Sequence, residues 1–275
     1  MKKIGLALGS GGARGLAHIT IFEAFEELGI SPSIISGTSV GALIGTAIAA
    51  GFSTKEIKES IYNKLLSKTG NFWEVFKNSD FKKILDFVDV EIKPGGILKG
   101  EKFLSYLSEE IGVEKFEELK IPLSVVATNL YTREQAVFDS GDLYSAVKAS
   151  YSLPGIFTPV TRNKYLYVDG GLVNPLPFDI IKEKCDVVVG INVLAKSKFK
   201  THTEMPPAYE VLFSTFQIMQ NSILSEKLKH VQPDILINTD IEDVRVFEFM
   251  KAEYIYKESK KYKSELKKKL DKILK

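Results

Sequence analysis

Cysteine is almost missing: Cys185 is the only one in 275 residues. No intrachain disulfide can form, and a reducing, cytoplasmic setting is the simplest expectation. Cys185 stands just before the apolar run Val187-Val188-Val189, a place that suits a small buried residue better than a nucleophile. Histidine is scarce too, with His18, His202 and His230 as the full set. Net charge is nearly absent, because 37 Lys+Arg against 35 Asp+Glu leave +2. That balance gives no sign of a nucleic-acid partner. Long apolar runs are missing with one exception. Ile34 to Phe52 carries no charge, is nearly long enough to cross a bilayer, and has Gly41 and Gly45 at GxxxG spacing. It also holds Ser36, Thr38, Ser39 and Thr46, so we read it as a short strand, a sharp turn and a buried helix. Met-Lys-Lys before Ile4 to Leu8 imitates a signal peptide. The apolar run is too short for one, however, and meets Gly9-Ser10-Gly11-Gly12.

What is present is an ordinary globular composition, 44% hydrophobic, enough for one large domain or two small ones. Strand and helix patterns alternate. Ile4 to Leu8 reads as a strand buried on both faces. Leu16 to Leu28 has helical spacing and ends at Gly29. Ile34 to Ser36 is a short strand, and Val40 to Ala50 a helix closed by Gly51. Ser53 or Thr54 can cap the next helix, with Glu56 in its first turn. Leu123 to Thr128, Gln135 to Phe138, Tyr165 to Val168 and Val187 to Val193 read as strands, and Leu143 to Ala149 as a helix. Two prolines and a glycine make Leu153 to Pro159 a rigid loop. Helix resumes over about 209–230, and Ile235 to Ile237 can add a strand.

Two regions stand apart. The stretch 71–96 mixes Phe72, Trp73, Phe76, Phe81 and Phe87 with lysines, and within a helical insertion over about 52–105 it is either a cover for a site or plain core. The tail 251–275 is a lysine-rich helix with a stripe through Ile255, Tyr262, Leu266, Leu270 and Ile273. Such a helix either packs on its own domain or lies on an anionic membrane. The expected organisation is a catalytic core over 1–195 and a helical extension over 196–275 packed on it.

Three features fall at the ends of expected strands, where open parallel sheets build their sites. The loop Gly9-Ser10-Gly11-Gly12-Ala13-Arg14-Gly15 can turn its backbone N–H groups toward an anion, either a phosphate or a developing oxyanion. It is a poor nucleotide fingerprint, since Arg14 takes the place of the third glycine. Gly37-Thr38-Ser39-Val40-Gly41 puts a serine between strand and helix, where small neighbours expose its hydroxyl; a tight turn with a capping serine is the plainer alternative. Asp169-Gly170-Gly171 ends a strand, and alone it reads first as a turn-forming aspartate. The usual partner of a nucleophilic serine is histidine. The order Ser39, Asp169, His230 satisfies the ordinary α/β-hydrolase arrangement, but that fold puts more than two strands ahead of its serine. His18, just past the glycine loop, reads as a helix-surface residue.

In combination the motifs resemble the patatin-like phospholipase family. They are Ser10-Gly11-Gly12-Ala13-Arg14-Gly15, Gly37-Thr38-Ser39-Val40-Gly41 and Asp169-Gly170-Gly171, with a fourth likeness over Ala149 to Pro159. Ser10 departs from the glycine many relatives carry. The resemblance implies an α/β fold, a three-layer α/β/α sandwich with a mostly parallel central sheet. It implies a lipid acyl hydrolase that uses a Ser39-Asp169 dyad and an acyl-enzyme. Backbone N–H groups of Gly11, Gly12 and Ala13 would line the oxyanion hole, with Arg14 holding that loop and adding positive potential, supported by Gly37, Gly41, Gly170 and Gly171. No metal or cofactor is implied. The expected partner is a lipid or other acyl ester, with contact at a membrane surface left open. The competing expectations are a patatin-fold adaptor without turnover and a nucleotide-binding module.

Overall fold

The computed structural model describes residues 2–63, 90–93, 96–98, 109–194 and 208–274. The expected aromatic cover over 71–89, the polar loop around 196–207 and His202 lie outside the described residues.

Among the described residues, a sheet of eight strands forms the middle layer. Its parallel part is built by β1 (Ile4–Leu8), β2 (Ile34–Thr38), β5 (Leu123–Asn129), β9 (Val187–Asn192) and β10 (Ile235–Asn238), in the order β10-β9-β1-β2-β5. The antiparallel end is β6 (Gln135–Phe138), β7 (Val160–Arg162) and β8 (Tyr165–Asp169). Two short strands, β3 (Val90–Lys93) and β4 (Gly96–Leu98), pair separately and antiparallel. This part of the expected helical insertion is therefore not helical, as the apolar alternation of Val90-Glu91-Ile92-Lys93 permits.

Alternate strand residues feed two cores, as the two-residue side-chain period requires. Leu6, Leu8, Ile35, Val187, Val189 and Ile191 face one layer of helices. That layer holds α1 (Ala17–Glu27), α2 (Val40–Ala50), α3 (Thr54–Ile61), α4 (Leu143–Tyr151) and α6 (Ala252–Leu274). Ala7, Ile34 and Val188 face the other layer, with Leu176, Phe178 and Ile181 from the connection before β9 and Leu224 from α5 (Ala208–His230). Fully buried side chains such as Leu6, Leu8 and Phe25 each contribute about 1.5–3 kcal/mol by leaving water. The uncharged run at 34–52 is β2, a turn and α2, with β2 and most of α2 buried within the protein. No helix among the described residues is long and apolar enough to cross a membrane.

Helix ends follow the local chemistry. Gly29 and Gly51 take positive φ of 64° and 94° where α1 and α2 stop. Ser53, rather than Thr54, caps α3, in a reciprocal pair with Glu56. The strand β7 had no clear mark in the sequence. It turns back on β8 through Asn163 and Lys164, both at positive φ (48° and 68°). That two-residue turn suits strand twist but is ordinarily announced by glycine.

The C-terminal third is tied into the sheet and the helical layer. β10 pairs with β9. The stripe of α6 is buried at Ile255, Tyr262, Leu266 and Leu270, against the layer that contains α1. Lys263 bonds Glu23 and Glu27 of α1, and Lys267 bonds Glu27. The face that the sequence left open to a membrane is therefore directed into the protein.

Candidate active site

Sheet register brings Ser39 and Asp169 together. β2 runs parallel to β5, with Thr38 beside Val126. β8 runs antiparallel to β5, with Asp169 beside Ala127. β6 occupies the opposite edge of β5 at both positions, so β2 and β8 share one edge and run toward each other. Their last residues, Thr38 and Asp169, meet at adjacent positions of β5. The next residue after Thr38 is Ser39.

Ser39 sits at φ 56°, ψ −122°, a strained conformation for a residue with a side chain. The turn requires glycine on both sides. A methyl at Gly37 would stand 2.6 Å from the Gly41 carbonyl oxygen, and one at Gly41 would collide with the Leu8 carbonyl oxygen. Ser39 stands just before α2, in the capping position, but makes no capping bond with its side chain. Its hydroxyl instead donates to Asp169 Oδ2 at 2.7 Å. The Ser39 N–H donates to Ser150 Oγ at 2.8 Å, and Ser150 Oγ donates to the Val126 carbonyl at 2.6 Å.

Asp169 is 3% exposed. Its Oδ1 accepts the Gly171 N–H at 2.7 Å, so the turn-forming role is also filled. Its own N–H donates to the Ser152 carbonyl at 2.9 Å. Gly170 passes so close to the Val126 carbonyl that a methyl there would overlap it. Burial pushes the Asp169 carboxyl up to about 6, opposed by the hydrogen bonds from Gly171 and Ser39. A carboxylate in this state is a better base than one in water, where about 3.9 is usual.

The glycine loop is braced from behind. Ala13 N–H donates to the Val246 carbonyl at 2.7 Å, which removes Ala13 from the expected oxyanion donors. Arg14 is 6% exposed and donates to the Val244 carbonyl at 3.0 Å. So buried a guanidinium braces the loop, the part expected of it, and has little surface to offer an oxyanion directly. Its Nε and second terminal nitrogen are buried without a partner among the described residues, and burial lowers its pKa. The N–H groups of Gly11 and Gly12 have no partner among the described residues. Gly12 adopts φ 59° with Val246 packed where a side chain would go.

His18 is fully buried rather than on a helix surface. The Gly9 carbonyl at 2.9 Å from Nε2 is an acceptor, so Nε2 carries the proton. Burial lowers the His18 pKa to about 4, leaving the ring neutral near pH 7. His230 is exposed, at the end of α5, with Glu226 3.2 Å away. Gln220, on the same helix, is the residue that packs against Gly171. Ten residues further, His230 is about 15 Å along the axis. Cys185 donates to the Ile181 carbonyl at 3.0 Å, and burial raises its pKa.

A family profile described as patatin-like phospholipase matches residues 6–182. The chain belongs to the patatin-like phospholipase family. An uncharacterized NTE family protein of Mycobacterium tuberculosis is 33% identical over 192 residues, 70% of this chain and 49% of that protein. Lysophospholipase NTE1 of Saccharomyces cerevisiae is 24% identical over 276 residues, 92% of this chain and 16% of that protein. The chain thus spans about half the length of the mycobacterial relatives and far less of the yeast one. Among solved structures, VipD from Legionella pneumophila shares the fold at TM-score 0.55 and 15% identity, over 98% of this chain and 67% of VipD.

Several contributors to this patatin-like site carried no mark in the sequence. Ser150 and Ser152 lay in the fourth likeness without a role. Val244 and Val246 act through backbone carbonyls, which any residue supplies. Lys227 of α5 bonds Asn174 Oδ1, the Leu176 carbonyl and Asp179. It thereby ties down the loop whose Asn174 carbonyl accepts the Thr38 hydroxyl at 2.8 Å.

Proposed function

We propose that this chain hydrolyses carboxylic esters of lipids through an acyl-enzyme, with Ser39 as nucleophile and Asp169 as general base. The observation that carries the reading is the 2.7 Å hydrogen bond from Ser39 Oγ to Asp169 Oδ2, made by a serine on a strained turn and a buried carboxylate. Family membership and the relatives named lysophospholipase support a lipid ester as the substrate class.

The steps use groups already in contact. Asp169 Oδ2 takes the Ser39 proton as Oγ bonds to the ester carbonyl carbon. The carbonyl π electrons move to its oxygen, and the N–H groups of Gly11 and Gly12 receive that charge. Each such donor is worth about 2.7–4 kcal/mol in comparable sites. The oxyanion collapses, the C–O bond to the alcohol breaks, and protonated Asp169 returns its proton to the departing oxygen. Water then enters, gives a proton to Asp169 and attacks the acyl carbon. Collapse breaks the bond to Ser39 Oγ, which recovers the proton, and the free acid leaves. The scheme calls on no cofactor.

The test is treatment of the folded protein with a fluorophosphonate, followed by intact mass and peptide mapping. One adduct, on Ser39, absent from Asp169→Asn, is expected. No adduct on a folded protein would overturn the hydrolase reading in favour of an adaptor that keeps the fold without turnover.

A further inference from the structure

We infer that Ser150 is a positioning residue that seats the nucleophile and sets its distance from the base. This rests on the hydrolase reading above and deepens it. Ser150 is fully buried at the C-terminal end of α4. Its hydroxyl satisfies two backbone groups at once: it accepts the Ser39 N–H at 2.8 Å and donates to the Val126 carbonyl at 2.6 Å. Val126 is the β5 residue beside Thr38, and its neighbour Ala127 is beside Asp169. Two residues on, the Ser152 carbonyl accepts the Asp169 N–H at 2.9 Å. One short segment therefore grips both members of the dyad by their backbone nitrogens.

The physical need is clear. Ser39 at φ 56° leaves the strand before α2 has begun. Its N–H is linked to the Val126 carbonyl of β5 only through the Ser150 hydroxyl, and without Ser150 would lose its acceptor. A positive-φ conformation is strained for a residue with a side chain and persists only where surrounding contacts over-determine it. The Ser150 hydroxyl is such a contact, made at the strained residue itself. Removing it lets the turn relax and lengthens the Ser39–Asp169 bond while leaving both side chains in place.

The experiment compares wild type, Ser150→Ala and Ser150→Cys for folding by circular dichroism and melting. It also measures kcat and KM on a p-nitrophenyl ester and the pH dependence of fluorophosphonate labelling. Ser150→Ala should stay folded at the assay temperature and lose kcat on the order of 10²-fold, with KM nearly unchanged. The Ser39 hydrogen bond lowers the Asp169 pKa, so weakening it should move the acid limb of labelling to higher pH. The Cys variant, isosteric but a weaker donor and acceptor, should fall between. A folded Ser150→Ala with wild-type kcat and an unmoved acid limb would overturn the inference. If Ser150→Ala does not fold, Ser150→Cys decides: reduced kcat at unchanged KM supports the role, and wild-type kcat removes it. Wild type inert to both reagents would instead sink the hydrolase reading itself.

Discussion

The proposed dyad and the glycine loop are held in different ways. Ser39 and Asp169 are set by sheet register: β2 and β8 approach along one edge of β5 and leave the two residues 2.7 Å apart. The glycine loop is instead tied to Val244 and Val246 through Arg14 and Ala13. Those partners lie well beyond residues 6–182, where the family profile matches. Dyad geometry therefore comes with the sheet, whereas loop geometry depends on a C-terminal segment that packs behind it. Substitutions at the dyad should abolish chemistry with the fold intact or strengthened. Substitutions at the brace should weaken it by degrees.

The largest effect is expected at the dyad. Ser39→Ala and Asp169→Asn should each cut kcat on the order of 10⁴-fold or more, as for nucleophiles and bases that act as a unit. Stability should move the other way at Asp169. Its folded pKa of about 6 lies above its ordinary 3.8, so the folded state holds the extra proton between these values. Folding stability falls as pH rises through that window, by up to about 3 kcal/mol once the buried carboxylate is charged. Asp169→Asn should melt higher than wild type at pH 8, and the gap should close by pH 4. In wild type, kcat/KM should fall about tenfold per pH unit below 6. Equal melting of the two proteins at both pH values would show that Asp169 is not desolvated.

Glycine substitutions sharpen the contrast between backbone and side-chain support. A methyl at Gly41 meets the backbone carbonyl of Leu8, which cannot move without opening the β1–α2 contact. Gly41→Ala should cost about 3 kcal/mol, read as a lower denaturation midpoint. At Gly171 the obstacle is the side-chain amide of Gln220, a flexible end that can swing aside. Gly171→Ala should cost less than half as much. Equal losses would mean that the aspartate turn is as rigidly backed as the serine turn.

This division also explains what the sequence made visible. The motifs at Gly37–Gly41 and Asp169–Gly171 stand out because close backbone approach demands glycine, and each follows a short apolar stretch, Ile34-Ile35 and Tyr165 to Val168. Backbone acceptors leave no such trace. Val244 and Val246 contribute carbonyls, so their role could be found only with the chain folded. His18 was misread because helical periodicity does not report what packs over a face, and here the Gly9 carbonyl gives the ring a buried partner. Ala13 was counted as a donor from its place in the loop, while its N–H had a nearer acceptor in Val246. The hairpin of β7 and β8 escaped notice because Lys164 occupies a left-handed position usually filled by glycine.

At the brace a moderate effect is expected. Arg14→Met keeps much of the side-chain volume but removes the bond to the Val244 carbonyl, along with a buried charge that has two unpartnered nitrogens. Replacing an under-satisfied buried charge by an apolar chain is often nearly neutral for stability. Melting should thus stay close to wild type while kcat drops about tenfold, the cost of a less well fixed oxyanion loop. A fall on the scale of Ser39→Ala, with melting unchanged, would mean that Arg14 acts on the reacting atoms and would erase the distinction between dyad and brace.

The smallest effect belongs to His230. It is exposed at the end of α5, and Glu226, its hydrogen-bond partner, is exposed as well, so a pair of this kind is worth about 0–1 kcal/mol. His230→Ala should leave kcat, KM and the Ser39 labelling rate at wild-type values, with stability within about 0.5 kcal/mol. The result bears directly on how the serine is activated. Asp169 already accepts the Ser39 hydroxyl proton at hydrogen-bonding distance, which leaves an intervening imidazole no place to stand. If His230→Ala were as inactive as Ser39→Ala with its melting unchanged, a histidine would have to enter between serine and aspartate during turnover. The described geometry would then be a resting arrangement rather than the reactive one.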